Sequence, residues 1–229
     1  MALDKTKTNP QLGLEIHKLL LEKGVETPTI DVGANAALSD DAKIETVRAS
    51  FENIMTVLNL DLTDDSLQDT PLRVAKMLIR ETMWGLDPKN FPKCTTVENK
   101  MGYDEMVVEK NVTVQSVCEH HWATIDGYAT VAYIPGNKIL GLSKIPRVID
   151  YFARRPQIQE RLTEQVFYAL AYILETDNIA VAVHANHYCV RSRGIQDQNS
   201  STVTSKLGGL FKTDPSTRAE FMSLLPKLQ

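Results

Sequence analysis

Two short segments of cysteine and histidine residues constrain this chain more than any other feature. The first is Ser116-Val-Cys-Glu-His-His121, and the second is His187-Tyr-Cys189, far along the chain. Together they hold two of the three cysteines and three of the five histidines. Thiolate and imidazole groups are ligands that zinc prefers. A fold that uses both segments at one ion must bring two distant stretches of backbone together.

The number of ligands indicates which kind of zinc site to expect. Cys118, His121 and Cys189 make three protein ligands, and a catalytic zinc keeps its fourth position for water. His120 and His187 are then left over for proton transfer. The alternative is a structural zinc site with four protein ligands, in which His120 or His187 is the fourth. Cys94 has no histidine nearby and is interpreted as a small buried hydrophobic residue.

Strand geometry sorts the histidines of these segments. Cys118 and His121 can reach one ion only if the chain turns after Cys118, because side chains alternate between the faces of a strand. In a third strand, His187 and Cys189 would share one face, whereas His184 would point to the other. We therefore expect His184 to take no part in the site.

Hydrophobic periodicity predicts helices followed by a hairpin, two helices and a third strand. Hairpin strands with helices packed on one face indicate an α+β fold in ββααβ order. The predicted helices are 10–24, 39–60, 143–154, one opened by Pro156 that runs to 176, and one from Pro215. A further helix is predicted to begin at Thr70-Pro71, with Thr70 as its capping residue and Gly85 as its C-terminal cap. The predicted strands are 104–117, with a bend near Asn111, 124–134, the short apolar run 138–142, and 178–190. The remaining segments, 25–38, 86–100 and 191–204, are predicted to be linker or loop.

Three regions are expected along the chain: an N-terminal helix and linker (1–38), a helical region (39–100), and a catalytic region with a C-terminal helix (101–229). Residues 39–229 are expected to form one structural domain. The net charge of -4 disfavours binding to nucleic acid or to an anionic membrane surface. The sequence shows no apolar run long enough for a signal peptide or a membrane span, so we expect a cytoplasmic protein.

A group of cations accompanies the metal-type segments. Ser143, Lys144 and Arg147 lie at a strand-to-helix junction, where phosphate groups are commonly bound. Arg191 and Arg193 follow Cys189, while Arg73 and Lys76 share a helix face. Each of these alone can be a solvated surface residue, but the group is compatible with a small polyanionic substrate.

Two carboxylates have a structural and a functional interpretation. Glu160, at a helix start, either complements the helix dipole or accepts two N–H bonds from a guanidine-like edge. Glu119 could orient an imidazole from outside the ligand set. The sequence leaves both questions open.

Several segments together resemble GTP cyclohydrolase I. They are Ser116–His121, Gly141–Arg147, Arg154–Thr163, His187–Gly194, Thr70–Lys76 and the tail Leu207–Lys212. The resemblance runs from about residue 40 to 225 with its motifs in order. It implies the tunnelling fold, an antiparallel sheet with two helices on one face that oligomerises into β-barrels. The implied assembly is a homodecamer with its sites at subunit interfaces.

The resemblance also implies a reaction and a role for each site residue. Zn²⁺ on Cys118, His121 and Cys189 would activate water against C8 of GTP, giving formate and 7,8-dihydroneopterin triphosphate, the first step of pterin and folate-type biosynthesis. His120 would donate a proton to the ring nitrogen, His187 would assist proton transfer, and Ser143 would act in the ribose rearrangement. The residues implied in substrate binding are Glu160 and Gln159 for guanine, and Lys144, Arg147, Arg193, Lys76 and Arg73 for the triphosphate.

Three other functions compete with this one. A zinc nucleoside deaminase would carry H-x-E and a later P-C-x-x-C, and this chain has neither. A purine-binding relative without zinc would not account for the paired Cys/His segments. A non-catalytic zinc-stabilised interaction protein would require four protein ligands and no open position.

Overall fold

The computed structural model describes residues 3–30 and 38–226 and shows a mixed α+β chain. The helices are, in chain order, α1 (Pro10–Glu22), α2 (Asp40–Val57), α3 (Thr70–Lys76), α4 (Lys144–Ala153), α5 (Gln159–Leu174), α6 (Tyr188–Arg191), α7 (Gly209–Thr213) and α8 (Pro215–Leu224). The strands are β1 (Thr96–Glu98), β2 (Val107–Cys118), β3 (Thr124–Tyr133), β4 (Lys138–Leu140), β5 (Pro156–Gln157), β6 (Ile179–His187) and β7 (Thr202–Leu207). The α+β prediction is confirmed. Most of the predicted linker 25–38 lies outside the described residues.

The chain divides into two compact units. One comprises Met1–Asp4 and Pro28–Trp84, and the other comprises Lys5–Thr27 and Gly85–Gln229. The first contains α2 and α3, which pack on each other. The second contains α1, both sheets and all the later helices. The three-part division expected from the sequence stays a prediction.

A five-stranded sheet in the order β5-β2-β3-β6-β7 forms the frame of the second unit. Adjacent strands in this sheet run antiparallel, except that β5 pairs in parallel with the end of β2. The register of β2 against β3 shifts between Glu109 and Val112, and Asn111 has a left-handed φ of 57°. The predicted bend near Asn111 is therefore a β-bulge. A separate pair, β1 with β4, is antiparallel.

The two faces of this sheet are covered by different helices. On one face, α4 packs on β2, α5 packs on β6 and β7, and α4 and α5 contact each other. On the other face, a smaller apolar cluster joins the sheet to the C-terminal helices; it consists of Ala132, Ala180, Ala182, Phe211 and Phe221. The ββααβ order is confirmed, with additional strands at both ends of the sheet.

The N-terminal helix belongs to this unit. Asn9 caps α1 by accepting from the Leu12 N–H at 3.2 Å, and Gly24, with φ 69°, follows its end. The buried positions Gly13, Ile16 and Leu20 follow helical spacing. They place α1 against α5 and the turn Pro88–Asn90.

The predicted caps have different outcomes. Ser39 caps α2 as predicted, accepting from the Ala42 N–H at 3.2 Å. Thr70 is not a cap, because Asp69 holds the cap position and Pro71 is the second helical residue. Gly85 is not the C-terminal cap either, since the helix continues as a π-helix over Met77–Thr82 and ends there. Gly85 instead lies so close to another backbone segment that a Cβ would come within 2.1 Å of the Tyr151 carbonyl oxygen.

Four segment predictions are wrong, for tertiary reasons. Thr96–Glu98 lies in the predicted loop but forms β1, because it pairs with β4. Pro156 does not open a helix but pairs beside β2, where its missing N–H is tolerated at a sheet edge. The predicted loop 191–204 ends in β7, whose residues pair with β6. Finally, β6 ends at His187, so Cys189 lies on α6 rather than on the strand.

None of the helices in residues 3–30 and 38–226 combines the length and the apolar character needed to cross a membrane.

Candidate metal centre and active site

Cys118, His121 and Cys189 form one compact group of ligand atoms. Their Sγ and imidazole nitrogen atoms all lie within 4.8 Å of one another, and Cys118 Sγ is 4.0 Å from His121 Nδ1. Two soft sulfurs and one imidazole nitrogen suit zinc. Within the described part of the chain, this is the one group of three or more His, Cys, Asp or Glu side chains that could hold a metal ion.

The first two ligands converge because the chain turns sharply after β2. The Cys118 N–H donates to the Ala123 carbonyl, and the Trp122 N–H donates to the Cys118 carbonyl, each at 2.8 Å. Trp122 has a φ of 52°, which is uncommon for a bulky residue. The predicted departure from strand geometry is thus confirmed, and the turn brings Cys118 and His121 together.

The third ligand arrives through strand pairing. β3 pairs with both β2 and β6, and Ile125 lies opposite His187. The pairing of β3 with β6 ends at this pair, and the chain turns into α6, which carries Cys189. The expectation that Cys189 shares a strand face with His187 is therefore wrong, although Cys189 still reaches Cys118 and His121.

The Cys189 thiol lies in an environment that disfavours its ionisation. Burial raises the pKa of the Cys189 thiol, and the neighbouring Cys118 thiol raises that pKa further. Two adjacent thiolates are stable only with a cation beside them, which a bound metal supplies. The Arg193 guanidinium opposes this shift of the Cys189 pKa, and its Nη1 lies 2.8 Å from His121 Nε2.

His120 lies beside this group and outside it. Its side chain is 64% exposed, and its Nδ1 is 3.8 Å from Cys118 Sγ. Its Nε2 is 3.7 Å from Glu119 Oε1, and the other Glu119 oxygen pairs with Arg161 at 2.5 Å. Glu119 therefore lies between His120 and Arg161. Sequence reasoning missed Arg161, whose proximity to Glu119 comes from the pairing of β5 with β2.

His187 has a different environment. Its Nε2 lies 2.7 Å from Oε1 of Gln159, which is 2% exposed in the first turn of α5. Burial lowers the pKa of His187 below its ordinary value of 6.5, while the Glu160 carboxylate opposes that shift. The ring is therefore mainly neutral at pH 7.

His184 lies away from the ligand group. It pairs with the Tyr128 hydroxyl across β3 and β6, with the ring centroids 4.9 Å apart. Strand alternation places it on the face opposite His187. The expectation that His184 takes no part in the site stays a prediction.

The predicted phosphate-binding residues occupy two places. Ser143 is exposed at the cap position of α4, without a capping hydrogen bond from its side chain, and Lys144 and Arg147 follow it in the first turn. Neither cation makes an ion pair with any of the described residues. Arg73 and Lys76 are on α3 in the other unit, where Arg73 lies 3.5 Å from Asp69.

Glu160 is exposed, and its carboxylate has no hydrogen-bonding partner or ion pair among residues 3–30 and 38–226. It influences His187 electrostatically, so the two lie near each other. A carboxylate that is not engaged by the protein is available to a ligand with N–H groups.

Comparison with known proteins identifies the family of this chain. The family model of GTP cyclohydrolase I matches residues 47–226. GTP cyclohydrolase 1 of Shewanella loihica is 53% identical over 209 residues, which cover 91% of this chain and 96% of that protein. GTP cyclohydrolase 1 of Shewanella amazonensis is 52% identical over 208 residues, covering 91% and 94%. The chain therefore belongs to the GTP cyclohydrolase I family of enzymes.

Proposed function

We propose that this enzyme opens the guanine ring of GTP hydrolytically at C8, releases formate and forms 7,8-dihydroneopterin triphosphate with the help of one zinc ion per subunit. The observation that carries the proposal is the group Cys118, His121 and Cys189, with His120 and His187 close by but outside it. Family membership supports the choice of GTP as substrate and a place in pterin biosynthesis.

The donor group fits zinc in chemistry and in spacing. Tetrahedral ligands at zinc–sulfur and zinc–nitrogen bond lengths lie about 3.6 Å apart. The distance from Cys118 Sγ to His121 Nδ1 is 4.0 Å, so a small adjustment brings both atoms to one ion. Three protein ligands leave one position for water. When bound, zinc supplies a water molecule acidic enough to serve as a nucleophile near neutral pH.

The two histidines outside the ligand group divide the proton transfers. His120, which is next to a metal ligand and has its Nε2 3.7 Å from the Glu119 carboxylate, donates a proton to the imidazole-ring nitrogen of guanine as the C8–N bond breaks. His187, neutral at pH 7, accepts a proton on the other side. Ser143 serves in the ribose rearrangement that follows ring opening.

Charge complementarity supports the mode of substrate binding. Glu160 has the acceptor pair needed for the N1–H and 2-amino edge of guanine, with Gln159 beside it in the same helical turn. Lys144, Arg147 and Arg193, together with Lys76 and Arg73, neutralise the triphosphate. Because Lys144 and Arg147 have no carboxylate partner among the described residues, an anionic ligand does not compete with a protein carboxylate for them.

We propose further that the chain has the tunnelling fold and works in the cytoplasm as a homodecamer. Across the residues that the structure describes, the outer edge of β7 and the outer edge of β2 before Val117 have no strand partner. Unpaired edges of this kind are commonly covered by another subunit. Pairing between copies would close the sheet into a barrel.

The test is to incubate zinc-loaded protein with GTP and to follow formate together with the fluorescence of oxidised neopterin. Both products are expected in equal amounts, and both are lost after chelation and restored by added zinc. A Cys189→Ser variant is expected to lose zinc and both products. Zinc-loaded protein that yields no formate would overturn the proposed function and favour a structural zinc site.

A further inference from the structure

The side-chain amide of Gln159 is buried with every polar atom engaged. Its Nε2 lies 3.0 Å from the Val183 carbonyl oxygen, 3.0 Å from the Thr202 carbonyl oxygen and 3.2 Å from Thr204 Oγ1. Carbonyl oxygens only accept hydrogen bonds, so the NH₂ group must face them. The orientation of the amide therefore follows from its neighbours, and Oε1 points in the opposite direction.

A closed chain of hydrogen bonds reinforces this orientation. Thr163 Oγ1 donates to the Gln159 main-chain carbonyl at 2.9 Å, which uses its one hydrogen. In the 2.6 Å contact between the two hydroxyls, Thr204 must then donate to Thr163. Thr204 Oγ1 is left to accept from Gln159 Nε2, in agreement with the two carbonyl contacts.

The amide in turn determines the tautomer of His187. Gln159 Oε1 lies 2.7 Å from His187 Nε2 and can only accept, so Nε2 must carry the hydrogen. In the neutral ring, Nδ1 then holds the lone pair. Over residues 3–30 and 38–226, Nδ1 of His187 has no hydrogen-bond partner and is available to a ligand.

We propose that Gln159 is a positioning residue, which holds His187 in the Nε2–H tautomer and presents its Nδ1 as a proton acceptor. The catalytic meaning of this role rests on the proposed function. Both N–H groups of the amide are used within the protein, so Gln159 has no donor left for guanine. The binding of the guanine edge then falls to Glu160.

The experiment is magic-angle-spinning NMR of full-length, zinc-loaded protein that carries ¹⁵N-labelled histidine, recorded without GTP at pH 8. Only five histidines contribute signals, and a His187→Gln variant assigns that of His187. The expected result is a protonated Nε2 and an unprotonated Nδ1 for His187. If His187 of the wild-type protein carries its proton on Nδ1, the proposal is overturned, and no measurement on a Gln159 variant is needed to decide it.

A pair of glutamine variants tests the dependence on Gln159. Gln159→Leu is expected to produce a mixture of His187 tautomers. Gln157→Leu is the matched control, because Gln157 is also buried and donates to the Phe152 carbonyl and to Gln165, without contact to a histidine. It is expected to leave the His187 signals unchanged. An unchanged tautomer in Gln159→Leu would overturn the proposal.

Steady-state kinetics separates positioning from substrate binding. Gln159→Leu is expected to lower kcat by about 10- to 100-fold with little change in KM. A raised KM with unchanged kcat would make Gln159 a guanine ligand and overturn the proposal. Since the NMR measurement contains no substrate, a protein with the expected tautomer but without formate release would overturn the proposed function and leave the tautomer assignment standing.

Discussion

His120 and His121 are neighbours in the sequence, but they lie in different environments. His121 belongs to the group of three candidate ligand residues, whereas the His120 ring is mostly exposed and flanked by Glu119. Replacement of His121 would therefore remove a proposed metal ligand, whereas replacement of His120 would remove a proposed proton donor. Both consequences can be measured separately.

We expect His120→Ala to keep zinc and to lose ring opening by about 10²- to 10⁴-fold, because it removes general acid catalysis and no ligand. Metal analysis and formate release measure the two effects. His184→Ala is the control, since His184 contacts Tyr128 on the other face of the sheet. It is expected to keep near-normal turnover. Loss of zinc from His120→Ala would instead make His120 a ligand.

The Cys94 thiol differs in reactivity from an ordinary cysteine. Burial raises its pKa to about 12, against a smaller opposing influence of Lys144 and Arg147, and its Sγ contacts the Pro92 carbonyl at 3.5 Å. Because only the thiolate reacts, alkylation by iodoacetamide at pH 8 is expected to be roughly 10³-fold slower than for free cysteine. Peptide mapping by mass spectrometry measures the rate, with denatured protein as the reference. Fast labelling of the folded protein would contradict the raised pKa.

At the level of elements, three strands decide where the site forms. β2 ends in the turn that carries Cys118 and His121, β6 ends just before Cys189, and β3 pairs with both. The packing of β3 on β6 is unusually close at Gly127, where a Cβ would come within 2.0 Å of the His184 carbonyl oxygen and 2.6 Å of Ala185 Cα. The spacing of these strands thus depends on a missing side chain.

Gly127→Ala is accordingly expected to push β3 from β6, to destabilise the fold by about 1–3 kcal/mol and to weaken zinc binding. Urea unfolding and competition with a chelator measure the two changes. Gly136→Ala is the matched control, because nothing lies within 4 Å of its added Cβ. It is expected to change stability by less than about 0.5 kcal/mol. Equal effects of both substitutions would contradict the close approach.

On the scale of the molecule, a buried charge network holds the N-terminal segment in the sheet-containing unit. Glu26 is 6% exposed and pairs with Arg155, which is 3% exposed, at 2.8 Å. Glu26 also lies 2.9 Å from His17 Nδ1, and Arg155 stacks over Tyr151 at 4.7 Å. Removal of one partner leaves the other charge buried and unpaired.

Glu26→Ala is therefore expected to lower the free energy of unfolding by about 3–5 kcal/mol. Chemical denaturation followed by circular dichroism measures the loss. Glu98→Ala provides the comparison, since the pair of Glu98 with Lys100 is exposed and contributes at most about 1 kcal/mol. Similar midpoints for the two variants would show that the buried pair does not stabilise the N-terminal segment.

The sequence alone determined the residue types of the site and the local elements. Thiolate and imidazole chemistry pointed to Cys118, His121 and Cys189, and periodicity predicted the ββααβ order and the bend near Asn111. These features depend on side-chain chemistry and on neighbours close in the chain, so they can be inferred without a fold.

Tertiary structure decided what depends on partners distant in sequence. β1, β5 and β7 form because another strand lies beside them, and Cys189 sits on α6 because β6 and its pairing with β3 end at His187. The link from Gln159 to His187 likewise needs the carbonyls of β6 and β7 to orient one amide. Side-chain packing and hydrogen bonds between strands distant in sequence stabilise these arrangements, and no local pattern encodes which strands will meet.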